Sequence, residues 1–314
     1  MKLLITGATG LIGKNLINHA KRRKISIHFL TTRKEECINS EGLKGFFWNP
    51  EQDEIDDSCF EGVDTLIHLA GANISKPWTT KNKEVILDSR LNSTRLLKKT
   101  LDRLNIKMKT ICCAGAIGIY PNSIDDIHEE NSPLSQENFL QKVTYAWEQE
   151  SEALSKNSIN LSIFRIGLVL AKEGGLLSKL TPPVKLFLGT AFASGKQWQS
   201  WIHIDDLSRL FFRAVDDGWE GTFNAVAPNP ISQINLIKEI GRTLKRPVFL
   251  PNIPAFFLQL FMGERSLLIL GSHRVSAKLI LSKGFKFQFP YLQPALNDIL
   301  KKKNDNLTKK ASWQ

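Results

Sequence analysis

Apolar and polar residues alternate along the chain in a rhythm that switches between two periods. Residues 2–6, Lys-Leu-Leu-Ile-Thr, form a short apolar run that reads as a buried strand, and Gly7 to Gly13 is a glycine-rich turn. Leu11, Ile12, Leu16, Ile17 and Ala20 then recur at helical spacing as far as Arg23, and residues 25–31 return to a strand-like run. Further strands are expected at 64–70, 110–114 and 161–165, with helices at 83–104 and 137–155 between them. Alternation on this scale predicts an α/β fold, a doubly wound, Rossmann-type parallel sheet with helices on both faces. The near-continuous apolar strands agree, because parallel strands are covered on both sides.

Beyond about residue 170 the rhythm loosens. Gly174-Gly175 and Pro182-Pro183 punctuate it, and helices are expected at 207–215, 231–244 and 255–270. The predicted organisation is a sheet-bearing domain over residues 1–225, with 170–200 contributing to a smaller substrate lobe. A small C-terminal domain over 228–300 and a disordered basic tail over 302–314 complete it.

Composition narrows the class. With 314 residues, 42% hydrophobic and 23% charged, the chain is globular, which excludes a disordered chain, a fibre or a bare coiled coil. Part of the net charge of +11 lies in Lys21-Arg22-Arg23-Lys24 and part in the C-terminal lysines, which read as solvated faces or tail. No basic stripe with interleaved aromatics occurs, so nucleic acid is not an expected partner, whereas a small anionic ligand such as a nucleotide phosphate would profit from the field. The four cysteines include no C-x-x-C pair and the adjacent Cys112-Cys113, which fits a reducing cytosol. The most apolar stretch, 255–262, is too short to cross a bilayer, so a soluble, cytoplasmic protein without a membrane anchor is expected. Phe256, Phe257, Leu260 and Phe261 then read as core or as a dimer face, and a homodimer is compatible with them.

The turn T-G-A-T-G-L-I-G spaces Gly7, Gly10 and Gly13 three residues apart between a strand and a helix. In that setting Gly7 makes the tight turn, Gly10 lets backbone approach a pyrophosphate, and Gly13 lets helix and strand pack closely. Thr9, Leu11 and Ile12 complete the turn, and the helix N-terminus offers free N–H groups and a positive dipole end. The second strand ends Leu-Thr-Thr-Arg. Arg33 stands where an acid would hold the ribose of NAD, and a guanidinium beside the hydroxyl of Thr32 suits the 2′-phosphate of NADP. The competing reading of Arg33 is an ordinary surface charge next to Glu35 and Glu36.

T-G-x-T-G-x-x-G and D-T-L-I-H-L-A-G resemble the extended short-chain dehydrogenase/reductase superfamily, in its NAD(P)-dependent epimerase/dehydratase group. The segments I-x-x-S-R-L-x-x-T-R-x-L from Ile86, A-x-A-I-G-x-Y around Tyr120, R-x-G-x-V-L from Arg165 and G-K-Q-W-Q-S-W-I-H-I-D-D-L from Gly195 are similar to its sugar-epimerase-like branch, which carries a C-terminal domain of unknown function. The resemblance covers about residues 1–300. It implies an NADP cofactor, a Rossmann fold and further cofactor positions at Leu69, Ala70, Gly71, Arg90 and Val169. For Ala70 and Val169 plain core packing is the alternative, and for Arg90 a solvated helix face.

The superfamily works with a Ser or Thr, a Tyr and a Lys, the last two spaced Y-x-x-x-K on a helix. Here Tyr120, Tyr145 and Tyr291 are followed at four residues by Ile124, Gln149 and Ala295, so no such pair exists. Val143 aligns with the usual Tyr, Trp147 with the usual Lys, and Cys113 or Gly115 with the Ser. Tyr120, after the fifth strand, is the best remaining acid, with Lys142 and Tyr145 behind it. His203 with Asp205 and Asp206 invites an acid/base reading, against a structural junction in which an Asp caps the next helix. Scattered histidines exclude a recognisable metal site. Trp198 and Trp201 are candidates to stack on a substrate, or else interface core. The resulting expectation is an NADP(H)-dependent epimerase or reductase acting on a small polar substrate, a nucleotide-sugar or carbonyl compound. A non-catalytic NADP(H)-binding regulator or scaffold is the alternative.

Overall fold

The computed structural model describes residues 1–301, and the tail expected over 302–314 lies outside the described residues. A parallel sheet organises the chain. Its strands are β1 (Lys2–Thr6), β2 (Ser26–Thr31), β3 (Leu43–Asn49), β4 (Thr65–His68), β5 (Met108–Ala116), β6 (Ser158–Ile166) and β7 (Gly221–Ala225). They lie in the order β7-β6-β5-β4-β1-β2-β3, every neighbouring pair parallel. Asn39–Ser40 and Glu54–Ile55 add short antiparallel pieces to β3.

Alternation within β1 explains the two apolar layers. Leu3 and Ile5 pack with α1 (Leu11–Arg22) on one face, whereas Leu4 joins Leu96, Leu97 and Leu101 of α2 (Thr80–Arg103) on the other. α3 (Phe139–Glu152) packs beside α2, and α5 (Ile204–Asp217) beside α1. The strand order reverses between β1 and β4, which opens a crevice outside their C-terminal ends.

Several expectations need correcting. β3 has no counterpart in the hydrophobic reading, because Gly45 and outward polar residues interrupt its alternation. Gly45 is there for space, since a Cβ on it would stand 2.5 Å from the ring of Phe29. Pro182 and Pro183 do not break the chain but lie inside α4 (Leu177–Lys185). The helix expected over 255–270 is interrupted. α7 (Ala255–Met262) stops at Gly263, whose φ of +56° ends the helical path, and a single turn follows at Leu267–Leu270. α7 is not core either: Leu258 is its one buried residue. α6 (Gln233–Leu244), α4 and the helix Leu292–Leu300 close a separate apolar core around Trp201 and Phe289.

Candidate functional site

The crevice is a groove of about 470 Å³ lined by Gly7, Thr9, Thr32, Arg33, Ala70 and Gly71, all singled out from the sequence. Trp48, Asn49, Pro50, Glu51, Ser89 and Ser93 also line it and were not foreseen. The first four belong to β3 and the turn after it, so missing that strand meant missing its wall.

Backbone crowding accounts for the glycines. Gly7 has φ +67°, and a Cβ there would lie 2.8 Å from the carbonyl oxygen of Leu69. A Cβ on Gly13 would lie 2.3 Å from the Gly7 oxygen. Gly10 is the N-cap of α1, so no side chain caps the helix, and its first turn holds no acid. The end of α1 is therefore left to a ligand with negative charge.

A buried chain of hydroxyls fixes the opposite lip. Thr6 Oγ1 accepts the N–H groups of Leu69 and Ala70 at 3.0 and 3.1 Å and is bonded to His68 Nδ1 at 2.8 Å. His68 Nε2 lies 3.0 Å from Thr94 Oγ1, whose own proton goes to the Arg90 carbonyl. With that proton committed, Nε2 carries the hydrogen and Nδ1 accepts from Thr6. Burial holds the His68 pKa down to about 3, so the ring is neutral.

Arg90 lies under Gly71. Its Nη1 donates to the carbonyls of Ile86 and Ala72, its guanidinium stacks 5.0 Å from the Trp147 ring centre, and no carboxylate pairs with it among the described residues. Burial lowers its pKa to about 10, which leaves it a cation. Arg33 stands at the other end, half-exposed, with its guanidinium paired to Glu36. Glu36 also accepts from Thr31 Oγ1 at 2.9 Å. Ile12, Leu69 and Val169 turn their side chains into the core around β1, and Leu11 lies against Gly174 and Gly175.

Tyr120 requires a correction. Its ring is fully buried against His128, and its hydroxyl donates to Asn224 Oδ1 and accepts from Arg165 Nη1, each at 2.7 Å. Burial raises its pKa, with Arg165 opposing. Arg165 is in turn bound by Glu148 through two bonds, of 3.0 and 2.5 Å, in a buried ion pair. A hydroxyl so enclosed braces the interior and has no open path to a substrate. Val143 and Trp147 are buried on α3, and burial pushes the Cys113 thiol up to about 12, so it stays protonated.

The His203 segment is a junction, but the capping residue is the histidine and not an aspartate. His203 Nδ1 accepts the Asp205 N–H at 3.1 Å at the start of α5, Asp205 binds Asn15 and His19 of α1, and Asp206 accepts from the backbone of Gln288 and Phe289. His203, Asp205 and Asp298 come close enough to suggest a cation site. With Nδ1 accepting, however, the Nε2 facing Asp298 bears a proton where a metal would need a lone pair. Trp201 is fully buried core, whereas half-buried Trp198 donates from Nε1 to the Ile124 carbonyl.

The comparisons with known proteins agree with this geometry. Residues 3–225 match the NAD dependent epimerase/dehydratase family, and residues 253–299 match a domain of unknown function, DUF1731. Epimerase family protein YfhF of Bacillus subtilis is 33% identical over 96% of this chain and 98% of its own length. A chloroplastic epimerase family protein of Arabidopsis thaliana, an SDR39U1 homolog, is 32% identical over 96% of this chain and 87% of its own length. The crystal structure of human epimerase family protein SDR39U1 (isoform 2) with NADPH superposes with a TM-score of 0.84 at 25% identity, covering 95% of this chain and 99% of that one. With a family model matching residues 3–225 and relatives aligned over nearly their whole length, the chain belongs to the NAD dependent epimerase/dehydratase family, the NAD(P)-binding extended short-chain dehydrogenase/reductases.

Proposed function

We propose that this chain binds NADP(H) in the groove and acts with it on a small polar substrate, a carbonyl compound or nucleotide sugar. The observation that carries the reading is the uncapped N-terminus of α1 opening onto a groove bordered by Arg33. The N–H groups of Leu11 and Ile12 at the helix start would hold the diphosphate, with Gly10, whose own N–H is bonded to the Gly7 oxygen, giving it room. Thr32 and Arg33 would hold the 2′-phosphate, with Glu36 giving up part of its hold on the guanidinium. Leu69, Ala70 and Gly71 would border the adenosine, and Arg90 would meet the anionic middle of the cofactor. The bound nicotinamide would supply hydride chemistry. The human relative solved with NADPH supports the choice of NADP. The few unpaired cysteines keep a cytoplasmic location within this reading.

Titration calorimetry tests it. NADPH is expected to bind more tightly than NADH, and Arg33→Ala to weaken NADPH about tenfold or more while leaving NADH unchanged. Equal affinities, or no association with either nucleotide, would reject the proposal. A second reading, binding without turnover, is favoured by the enclosure of Tyr120 and by Val143 and Trp147 at the α3 positions. NADPH oxidation across a panel of carbonyls and sugar nucleotides separates the two.

A further inference from the structure

The C-terminal lobe carries a surface that its own packing does not explain. Leu186, Phe187 and Leu188 follow α4 and are 69%, 47% and 57% exposed, and Phe249 is 69% exposed. Three consecutive exposed apolar residues are rare on a chain that has nothing to cover them with. Phe187 holds φ +62°, a conformation that bulky residues seldom adopt and that turns its ring outward.

Cations surround this wedge. Arg246 donates Nε to the Lys185 carbonyl at 3.3 Å and lays its guanidinium 4.9 Å from the Phe187 ring centre. A shallow hollow of about 430 Å³ next to it is lined by Lys238, Arg242, Lys245 and Arg246 with Gly241, Pro247 and Val248. Glu239 pairs with Arg242, and among the described residues no carboxylate pairs with Lys238, Lys245 or Arg246. The hollow and the wedge adjoin through Arg246, which lines the hollow and reaches both Lys185 and Phe187. Seven residues beyond Phe249, α7 presents a second exposed stripe of Phe256, Phe257, Leu260 and Phe261.

We infer that the Leu186–Leu188 turn and the basic hollow beside it dock this protein on an anionic lipid surface. Aliphatic and aromatic side chains projecting from a turn suit a fluid partner, into which they enter at headgroup depth. The Lys238 and Lys245 heads, which no carboxylate among the described residues pairs, and the Arg246 guanidinium would meet the phosphates while their stems lie along the apolar residues. No span is involved, and no helix among the described residues is long and apolar enough to cross a membrane. The contact is peripheral.

Co-sedimentation of the full chain with vesicles tests the assignment. Phosphatidylcholine vesicles containing phosphatidylglycerol are expected to retain it at least about tenfold better than phosphatidylcholine alone, with binding declining as salt is raised. Phe187→Gly removes the ring at a backbone angle that glycine adopts freely, so the fold survives, and binding should fall about tenfold or more. Arg246→Gln should cost about fivefold. Unchanged thermal unfolding of both variants shows that the loss belongs to the surface. Equal or absent binding to the two vesicle types overturns the inference, as does a Phe187→Gly protein that binds like the parent. Self-association that Phe187→Gly abolishes, without vesicle binding, would likewise overturn it and assign the patch to a second copy of the chain.

Discussion

The wall of the groove and the inner wall beneath α3, which does not line it, treat their polar groups in opposite ways. At the start of α1 no side chain or acid occupies the helix end, and side chains are removed to make room, as at Gly7, Gly10 and Gly13. Beneath α3 the buried ion pair and the Tyr120 hydroxyl are spent internally, although the Trp147 indole N–H and the Asn224 amide nitrogen have no partner. Glu148 goes to Arg165, Arg165 to Tyr120 and Tyr120 to Asn224. The first wall is built to receive a ligand and the second to be rigid. Room for a ligand and rigidity of the interior are thus separable properties of this fold.

Breaking the rigid wall should give the largest effect. Glu148→Ala strands the Arg165 guanidinium in a buried site and is expected to cost about 3–5 kcal/mol in chemical denaturation. If the walls are independent, NADPH affinity of the folded fraction is preserved. A matching loss of affinity would merge the two regions into one.

Acid comes next. His68 titrates near 6.5 when unfolded and near 3 in the fold, because burial disfavours its cation. Below about pH 6.5 the unfolded chain takes up a proton that the folded chain refuses, so the stability is complete above that pH and falls as pH drops toward 3. The slope is about 1.4 kcal/mol per pH unit, or about 2 kcal/mol by pH 5. Denaturation midpoints measured over this range should steepen accordingly, and His68→Gln should remove one proton from the slope. An unchanged slope would dismiss His68 as its source.

Gly10→Ala should be the mildest for the fold and the most selective for the ligand. Its Cβ would meet only the Gly7 oxygen at 3.2 Å, so stability should change by less than about 1 kcal/mol. The methyl group would stand where a diphosphate must approach, and NADPH affinity should drop about tenfold. Retained affinity would mean that the open wall is not the binding wall.

The sequence made the open wall far more legible than the rigid one. Glycine spacing, buried strands and helical periodicity are local signals, and Lys2–Thr6, Leu11–Arg22 and Ser26–Thr31 follow them closely. The strand Leu43–Asn49 escaped because its burial does not alternate cleanly, and with it went Trp48 and Asn49 of the groove. Tyr120 was misread for a different reason. Position after a strand says where the backbone goes, whereas the partners that enclose the hydroxyl, Arg165 and Asn224, lie 45 and 104 residues away. Likewise the prolines of α4 look like breakers in isolation, and packing in the lobe core overrides them.

Asp206 has a consequence for anyone dissecting this molecule. Its fully buried carboxylate holds the backbone N–H groups of Gln288 and Phe289 at 2.8 Å each, together with Arg209. The first 225 residues, cut free, would expose the seat of that carboxylate to whatever filled the gap and would lose both donors at once. This side chain adds to the Ser200 and Ser123 bonds to residues 272–275 in sewing the segment matched by the family to the stretch that follows it, and a truncated fragment is expected to behave as a damaged whole.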